Sequence, residues 1–454
     1  MQPVRFVRVC VIGCGVVAAL GIAANVPADG NAPNMFGFVD PTGIVRTFNV
    51  NGAIDFDNEF FQPLGTNGRS CGSCHQPADG WTIVPAHIQA RFEATDGEDP
   101  IFRTNDGSNS PDADVSTVEA RRSAYSMLLT KGLIRVGIGL PSNAEFELID
   151  VDDPYGYASA TELSLFRRPL PSTNLSFLAT VMWDGRETFP NQSIHFDLSD
   201  QANGATLGHA AAINPLTQAQ RKAIVTFETG LFTAQSTDTA AGPLNAQRGA
   251  GGPVSLSREP FYIGINDVLS PGFNPRAFTL FEAWQNLASS GRDAYTDARE
   301  AVARGQETFN RRGFTIANVR GVNDALGMPA LPGTCTTCHD TPNVGNHSTS
   351  LPLDLGLTTA SMRTRDMPLY TFRNKTTTEV VQTTDPGRAL ITGKWKHMSL
   401  FKGPILRGLA ARAPYFHNGF AATLADVVEF YNDRFNIGLS AREKADLIAF
   451  LKAL

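Results

Sequence analysis

A five-residue pattern, Cys-x-x-Cys-His, occurs twice and constrains this chain more than any other feature. The first copy consists of Cys71, Cys74 and His75, and the second of Cys335, Cys338 and His339. Two thiols at this spacing lie on one helical turn, where each can add to a vinyl group of a haem. The adjacent imidazole then lies under the iron as its proximal ligand. The sequence therefore predicts two covalently bound haem c groups, with the two histidines as iron ligands.

Two other uses of a C-x-x-C pair fit this chain less well. A redox dithiol gives no reason for a histidine to follow both pairs. Two such pairs can bind zinc together, but they then usually lie close in sequence within a small module. More than half of the chain separates these two pairs. Four cysteines in two such pairs are also not the pattern of a disulfide scaffold in a chain of 454 residues.

The first 28 residues have the composition of an export signal. Arg5 and Arg8 precede an apolar run from Val9 to Ala24, and Val26 to Ala28 offers a cleavage site. An uncleaved membrane anchor and a lipoprotein signal are the alternatives. We predict that residues 1–28 are a signal peptide and that the protein is exported to the periplasm, since c-type haem is attached outside the cytoplasm.

The charge balance argues against one class of partner. Lysine and arginine number 38 against 44 aspartates and glutamates, which gives a net charge of −6. A surface that binds nucleic acid needs a basic excess, so we expect no nucleic-acid partner.

The two haem motifs also divide the chain. A weak internal repeat, over residues 60–75 and 309–339, places an aromatic side chain and a Gly/Asn-rich loop before each motif. Such self-similarity indicates two cytochrome c-like units. We place the boundary near residue 292, between domains 29–292 and 293–454. Residues 85–171 and 235–260 are loop-rich elaborations of the N-terminal domain, either shaping access to a site or decorating the surface.

Helix signals dominate over strand signals. Capping boxes at Ser116, Thr217 and Ser440 each precede an apolar periodic run. Few segments have a strand pattern, and residues 146–151 are the clearest. The sequence thus predicts a mainly α fold of two cytochrome c-like haem domains.

Three segments together resemble the bacterial di-haem cytochrome c peroxidase and MauG superfamily. They are the paired haem motifs, the sequence W-D-G-R at residues 183–186, and residues 401–431, which contain F-K-G-P-I-L-R and P-Y-F-H-N-G. The resemblance implies an enzyme that reduces hydrogen peroxide at the N-terminal haem. Electrons would be relayed through the C-terminal haem from a small donor protein such as a cytochrome c or a cupredoxin. A homodimer is a further expectation.

The resemblance assigns two residues to the C-terminal haem and its electrons. Trp183 of W-D-G-R corresponds to an electron bridge between the haems, although most tryptophans are simply core aromatics. Tyr431 corresponds to the sixth ligand of the C-terminal haem. Ordinary packing would also explain this tyrosine, and Met398, Met367 and Met362 are alternative ligands. A phenolate would favour ferric or higher iron states, whereas a thioether would favour ferrous iron.

On the peroxide side the chain departs from the family, in which a Gln and then a proton-transferring Glu follow W-D-G-R. The nearest match here is Gln201 followed by His209. A histidine can do the same acid–base work, or it can bind the iron and block the pocket. Glu187 and His195 are competing candidates for the catalytic role, and His87 is a candidate displaceable ligand.

Two further expectations concern the domain interface. The resemblance implies calcium held by backbone oxygens, here including those of Arg412 and Pro414. Arg168 replaces the matching asparagine, and its guanidinium would repel the ion, so calcium is only a candidate cofactor. His417, in P-Y-F-H-N-G, is expected to support the site by hydrogen bonds without binding iron.

Other functions remain open at this point. One is MauG-like oxidation of a Trp or Tyr in a partner protein. Another is a plain di-haem electron carrier with both irons six-coordinate. A third is a rubber-oxygenase-like enzyme that uses dioxygen.

Overall fold

The computed structural model describes residues 31–454. The predicted signal peptide, with Cys10 and Cys14, lies outside the described residues. Within residues 31–454, no helix combines the length and the apolar character needed to cross a membrane.

The fold is not mainly α, so that prediction is wrong. Helix accounts for 31% of the structure and strand for 17%, in several small sheets. The α-helices of the described chain are α1 (Pro85–Thr95), α2 (Val118–Ala124), α3 (Ser126–Lys131), α4 (Ile194–Gly208), α5 (Gln218–Gly230), α6 (Pro253–Leu256), α7 (Thr296–Arg311), α8 (Ala389–Thr392), α9 (Leu424–Arg434) and α10 (Ala441–Lys452).

Local capping chemistry sets several helix starts. Thr217 and Ser440 form the capping boxes that the sequence predicts, at the beginning of α5 and α10. Helix α2 begins one residue later than expected, because the side chain of Thr117, and not that of Ser116, accepts a hydrogen bond from the backbone N–H of Ala120 (3.1 Å).

The strands are short and pair antiparallel. They are β1 (Asn31–Ala32), β2 (Gly37–Asp40), β3 (Gly43–Asn49), β4 (Ile54–Asp55), β5 (Ile134–Ile138), β6 (Phe146–Asp152), β7 (Leu163–Arg167), β8 (Leu231–Asp238), β9 (Gly242–Pro243), β10 (Phe314–Ala317), β11 (Ala330–Gly333), β12 (Leu369–Asn374) and β13 (Val380–Thr383). The larger sheets have the orders β2-β3-β8-β9 and β13-β12-β6. The two-stranded sheets are β1-β4, β5-β7 and β10-β11.

Most of these strands were not predicted from the sequence because they are short, and two of the pairings join distant segments. Strand β3 pairs with β8, and β6 pairs with β12. A short strand shows little of its character in its own residues, since its stability depends on cross-strand packing. The pairing of β6 with β12 joins segments on either side of the predicted boundary near residue 292, and the division into two domains stays a prediction.

Two aromatic clusters support the two cysteine motifs. Near the first motif, the ring centroids of Phe60 and Trp81 lie 5.3 and 5.7 Å from that of Phe227 on α5. Near the second motif, Phe309 on α7 lies 5.6 Å from Phe450 on α10. These aromatic clusters support the backbone of each motif.

Helices α7 and α10 cross in close contact. A Cβ atom added at Gly305 on α7 would lie 2.0 Å from the backbone oxygen of Asp446 on α10. The crossing therefore requires a glycine at this position, and it holds Phe309 against Phe450 beneath the second motif.

Candidate functional site

A single cavity of about 390 Å³ reaches both cysteine motifs. Its lining includes all six motif residues, Cys71, Cys74, His75, Cys335, Cys338 and His339. Most of the remaining lining consists of Leu, Ile, Val, Pro and aromatic side chains from both halves of the chain. The two motifs, far apart in sequence, therefore share one apolar space.

The first motif is a 3₁₀ turn that presents an imidazole ready to bind metal. The turn, Cys71–Ser73, begins with a capping box between Ser70 and Ser73. His75 Nδ1 lies 3.1 Å from the backbone oxygen of Trp81. Because a carbonyl oxygen only accepts, Nδ1 donates and Nε2 is left as the metal-binding nitrogen. Burial lowers the pKa of His75 to about 4, so the imidazole is neutral at pH 7.

The second motif has the same local geometry. Its 3₁₀ turn, Cys335–Thr337, begins with a capping box between Thr334 and Thr337. His339 Nδ1 lies 3.0 Å from the backbone oxygen of Gly345, and burial lowers the pKa of His339 to about 4. The repeat that the sequence showed is thus also a repeat in structure.

The four motif cysteines are free thiols. Burial raises the pKa of Cys335 and of Cys338 to about 12 and also raises the pKa of Cys71 and of Cys74. Among residues 31–454, no three His, Cys, Asp or Glu side chains come together as a metal-binding group. The two pairs therefore do not meet in one four-cysteine cluster. Paired free thiols, a neutral imidazole with Nε2 available and an apolar cavity fit a haem attached at each motif.

Trp183 lines the same cavity and is held at three points. Its indole Nε1–H donates to the backbone oxygen of Arg168 (2.8 Å). Its own backbone oxygen accepts from the N–H of Lys402 (2.9 Å), and its ring centroid lies 6.1 Å from that of His417. The indole is therefore fixed by both halves of the chain.

The rest of W-D-G-R explains why this turn is rigid. Asp184 is fully buried and pairs with Arg167, whose guanidinium also forms two hydrogen bonds to Asp385 (2.7 and 2.9 Å). Burial alone would raise the pKa of Asp184, but Arg167 and Arg186 hold it at about 2. Gly185 has φ +71°, a backbone conformation that favours glycine. The motif thus locks the backbone on which Trp183 is mounted.

His209 lies at the end of α4 and lines the cavity. Its Nδ1 makes a close contact with the carboxylate of Asp106, which also pairs with Arg69. Burial would raise the pKa of Asp106, but His209 and Arg69 together hold it below its usual value. The electrostatic influence of His209 also reaches His75. The imidazole is therefore oriented by a carboxylate near the first motif.

The competing residues lie elsewhere. Glu187 is half-buried, bonds to Asp200 and does not line the cavity. His195, at the start of α4, is exposed. His87 pairs with the buried carboxylate of Asp79, outside the cavity lining. Of the sequence candidates on the peroxide side, the cavity wall contains Gln201 and His209.

Tyr431, on α9, lines the cavity next to the second motif. Burial raises its pKa, and the nearby Cys338 and Cys335 raise it further. The alternative ligands are remote: Met398 packs with Phe146 and Phe372, Met367 with Met127, and neither these methionines nor Met362 lines the cavity.

His417 is buried in the cavity wall and stacks on Phe401, with centroids 4.1 Å apart. Its Nε2 has no hydrogen-bond partner among the described residues, so its polar support comes through its backbone oxygen, which accepts from the N–H of Arg168 (2.6 Å). Burial lowers the pKa of His417 to about 4.

Three cavity residues were not singled out from the sequence. Glu228 on α5 is 5% exposed, and burial raises its pKa to about 8. Its position four residues after Ile224, on the apolar face of α5, was a readable signal. His347 stacks near His339, with centroids 6.2 Å apart, and Lys402 is a buried ammonium whose pKa burial lowers to about 8. His347 and Lys402 lie in loops, where no periodic apolar pattern marks a residue as buried.

A calcium ion does not fit the expected interface position. Arg168 Nη2 donates to the backbone oxygen of Arg412 (3.1 Å), one of the oxygens expected to hold the ion. A second guanidinium, that of Arg412 itself, donates to the backbone oxygen of Gly80 (3.0 Å) close by. A guanidinium bonded to one of the expected oxygens repels a divalent cation at this position.

Comparisons with known proteins agree with the motif arrangement. No protein-family model matches the chain. Cytochrome-c peroxidase IdrP2 of Denitromonas iodatirespirans is 33% identical over 132 residues, which cover 27% of this chain and 36% of the relative. Cytochrome-c peroxidase IdrP1 of Pseudomonas sp. (strain SCT) is 28% identical over 204 residues, 38% of this chain and 53% of the relative.

Two further similarities have lower identity or shorter coverage. Cytochrome c551 peroxidase of Nitrosomonas europaea is 28% identical over 165 residues, 34% of this chain and 42% of the relative. A solved MauG-like protein associated with microbial copper homeostasis aligns over 87% of both chains, with 16% identity and a TM-score of 0.36, and this likeness carries no argument here.

The curated relatives are cytochrome-c peroxidases, and the two motifs with their shared cavity agree with that likeness. The predicted resemblance to bacterial cytochrome c peroxidases is confirmed. The chain spans about a third to a half of the length of the curated relatives it matches.

Proposed function

We propose that this protein is a di-haem c-type oxidoreductase that reduces hydrogen peroxide at the N-terminal haem with electrons relayed through the C-terminal haem. The observation that carries the proposal is the single cavity whose wall contains both Cys-x-x-Cys-His motifs and Trp183. Reduction of one peroxide to two waters consumes two electrons and two protons, so the site must deliver both.

The cofactor-holding residues are those of the motifs. The thiols of Cys71 and Cys74 would form the thioether bonds of one haem, and His75 Nε2 would bind its iron; the second motif would do the same. When bound, haem supplies an iron at which peroxide can be reduced. Among residues 31–454, the hydrogen bond found for the buried Lys402 ammonium is a long one to the backbone oxygen of Gly403 (3.5 Å), so this group could receive a haem carboxylate.

We propose that His209 transfers the proton during peroxide reduction. His209 would accept a proton from peroxide at Nε2 and return it to the departing oxygen, as a general base and then a general acid. Its Nδ1 contact with Asp106 keeps the imidazole in one orientation, with Nε2 free. Glu187 has no place in this scheme because it does not line the cavity.

We propose that Trp183 carries electrons between the two haem sites. Indole is among the most easily oxidised side chains, and here its position is fixed by Arg168 and by Lys402. A fixed indole suits electron transfer because little reorganisation accompanies the change of charge. We propose export to the periplasm, a cytochrome c or cupredoxin as electron donor, and a homodimer as the assembly.

Tyr431 favours a second candidate function. The tyrosine lines the cavity beside the second motif, whereas the three methionines considered as ligands do not. A phenolate ligand would make that haem a poor acceptor from a high-potential donor and a good place to keep an oxidising equivalent. The second candidate is therefore MauG-like oxidation of a Trp or Tyr in a partner protein.

Spectroscopy on the oxidised holoprotein tests the proposal. We expect a high-spin ferric EPR signal from one haem and a rapid absorbance change on adding peroxide. A spectrum with only low-spin haem and no response to peroxide would instead indicate a plain electron carrier. His209→Ala should slow the peroxide reaction strongly, whereas His195→Ala, on the same helix but exposed, should not.

Turnover with reduced cytochrome c separates the two candidates. Brisk peroxide consumption with this donor supports the peroxidase. Slow consumption, together with oxidation of aromatic residues in an added protein, supports the MauG-like function.

A further inference from the structure

Arg168 is a buried cation held entirely by backbone oxygens. Its side chain donates hydrogen bonds to the carbonyls of Ile83 (2.7 Å), Lys131 (3.1 Å), Gly132 (3.4 Å) and Arg412 (3.1 Å). The residue is 5% exposed, and none of the ion pairs found in residues 31–454 includes it. We call these four carbonyls, with the guanidinium among them, the carbonyl cradle.

A buried charge is costly unless dipoles or counter-charges surround it. In the cradle the compensation comes from four converging carbonyl dipoles, the arrangement with which proteins also hold hard metal ions. Burial lowers the pKa of Arg168 to about 10 while the nearby Asp79 opposes that shift, so the guanidinium is charged at neutral pH. The planar guanidinium offers five N–H donors and can satisfy several oxygens at once.

The cradle is built for this side chain. Gly132 ends α3 with φ +60°, and a Cβ there would lie 2.2 Å from Arg168 Nη1. A metal ion beside this side chain would meet its positive charge, and the carbonyl oxygens that could bind such an ion already accept hydrogen bonds from it. The cradle therefore already contains its positive charge.

The backbone of Arg168 connects the cradle to the site. Its N–H donates to the oxygen of His417 (2.6 Å), and its oxygen accepts from the indole of Trp183 (2.8 Å). Its side chain meanwhile joins Ile83 and Lys131, before residue 292, to Arg412, after it. One residue thus ties both halves of the chain to the indole that lines the shared cavity.

We infer that the Arg168 guanidinium is the resident cation of the carbonyl cradle in place of a metal ion, and that through its backbone it positions Trp183 between the two halves of the site. The first part concerns only the cradle. The second part rests on the proposed function, since positioning matters for electron relay. Arg168 is a positioning residue and touches no substrate.

The first experiment uses the intact holoprotein. Its thermal unfolding is recorded after dialysis against EGTA and after addition of calcium chloride, and calcium binding is measured by equilibrium dialysis. We expect the same unfolding temperature in both conditions and no bound calcium. A stability that falls with EGTA and returns with calcium would overturn the inference.

The second experiment empties the cradle. Arg168→Ala should lower the unfolding temperature by several degrees, and millimolar guanidinium chloride or calcium chloride should restore part of the loss by supplying a cation. The matched control is Arg299→Ala, which removes another buried arginine bonded to a backbone oxygen, that of Ala241 (2.9 Å), and to Asp293. Its loss of stability should respond to neither salt. No rescue at Arg168→Ala, or equal rescue at both sites, would overturn the inference.

A third measurement tests positioning. In half-reduced protein, electron transfer between the haems should slow at least tenfold in Arg168→Lys, which keeps the charge but loses the planar fork and is the variant more able to fold. Unchanged transfer refutes the positioning role. Calcium independence and cation rescue are measured without peroxide. These two results therefore test the role of Arg168 as the cation of the cradle independently of the proposed function.

Discussion

Replacing Asp106 by asparagine tests the proposed acid–base pair most directly. In the wild-type protein one carboxylate oxygen contacts His209 Nδ1 and the other pairs with Arg69. The amide keeps the shape but removes the charge, so Arg69, itself 3% exposed, is left with backbone oxygens as its main partners, including that of Pro100 (2.8 Å). The substitution therefore affects both the orientation of the imidazole and a buried ion pair.

Asp106→Asn is expected to lower both the stability of the protein and the rate of the peroxide step. Removing one partner of a buried ion pair costs about 3–5 kcal/mol, and the retained amide oxygen places Asp106→Asn near the lower value. General acid–base catalysis contributes about 10²–10⁴-fold, and without its orienting carboxylate His209 should lose about 10²-fold in the peroxide step. Stopped-flow absorbance against peroxide concentration measures the rate, and chemical denaturation measures the free energy of unfolding.

The pH dependence adds an independent check. The pKa of Asp106 lies below its usual 3.8 in the folded protein, so its stabilising contribution is fully present above about pH 4 and is lost as the pH falls further. Asp106→Asn should lack this acid-side loss. The control is Asp57→Asn, which changes an exposed aspartate outside the cavity wall. A folded Asp106→Asn protein that reacts with peroxide at the wild-type rate would refute the role given to the pair.

The remaining predictions concern packing, ligation and a buried acid. Gly305→Ala should destabilise the protein by about 1–3 kcal/mol in chemical denaturation, because its Cβ would meet backbone; Gly204→Ala, with a nearest atom 3.8 Å away, should stabilise it by up to about 1 kcal/mol, and equal effects would contradict the packing argument. Tyr431→Phe should change the absorption and EPR spectra of the second haem while Met398→Leu leaves them unchanged; the reverse result excludes tyrosine ligation. Since the pKa of Glu228 is raised from 4.5 to about 8, the folded state keeps a proton that the unfolded state releases, so stability should fall by about 1.4 kcal/mol per pH unit over that interval; Glu228→Gln should remove the slope, and a slope kept in that variant would place its origin elsewhere.

Sequence patterns were sufficient where the chemistry is local. The two cysteine motifs form matching 3₁₀ turns, each with its histidine bonded to a carbonyl a few residues onward. The capping boxes at Thr217 and Ser440 begin α5 and α10 as predicted. These features depend only on residues within one or two turns of each other.

Patterns failed where a structure depends on distant segments. Strand β3 pairs with its neighbour β2 and also with the distant β8, and nothing in residues 43–49 alone indicates the second pairing. The carboxylate that orients His209 comes from Asp106, about a hundred residues earlier, and the cradle of Arg168 is formed by carbonyls from three separate segments. The spacing of residues within one segment does not indicate which distant segments it will contact.

The pairing of β6 with β12 has a consequence for the order in which the molecule assembles. During synthesis, residues 146–152 exist for a long interval before residues 369–374 are made, so an edge of β6 stays unpaired while more than two hundred further residues are added. Unpaired edges recruit wrong partners, and distant contacts close late. A fragment that ended near residue 292 would keep that open edge permanently. The two halves are thus expected to fold as one unit. The sheet that contains β6 is complete only after the C-terminal half has been made.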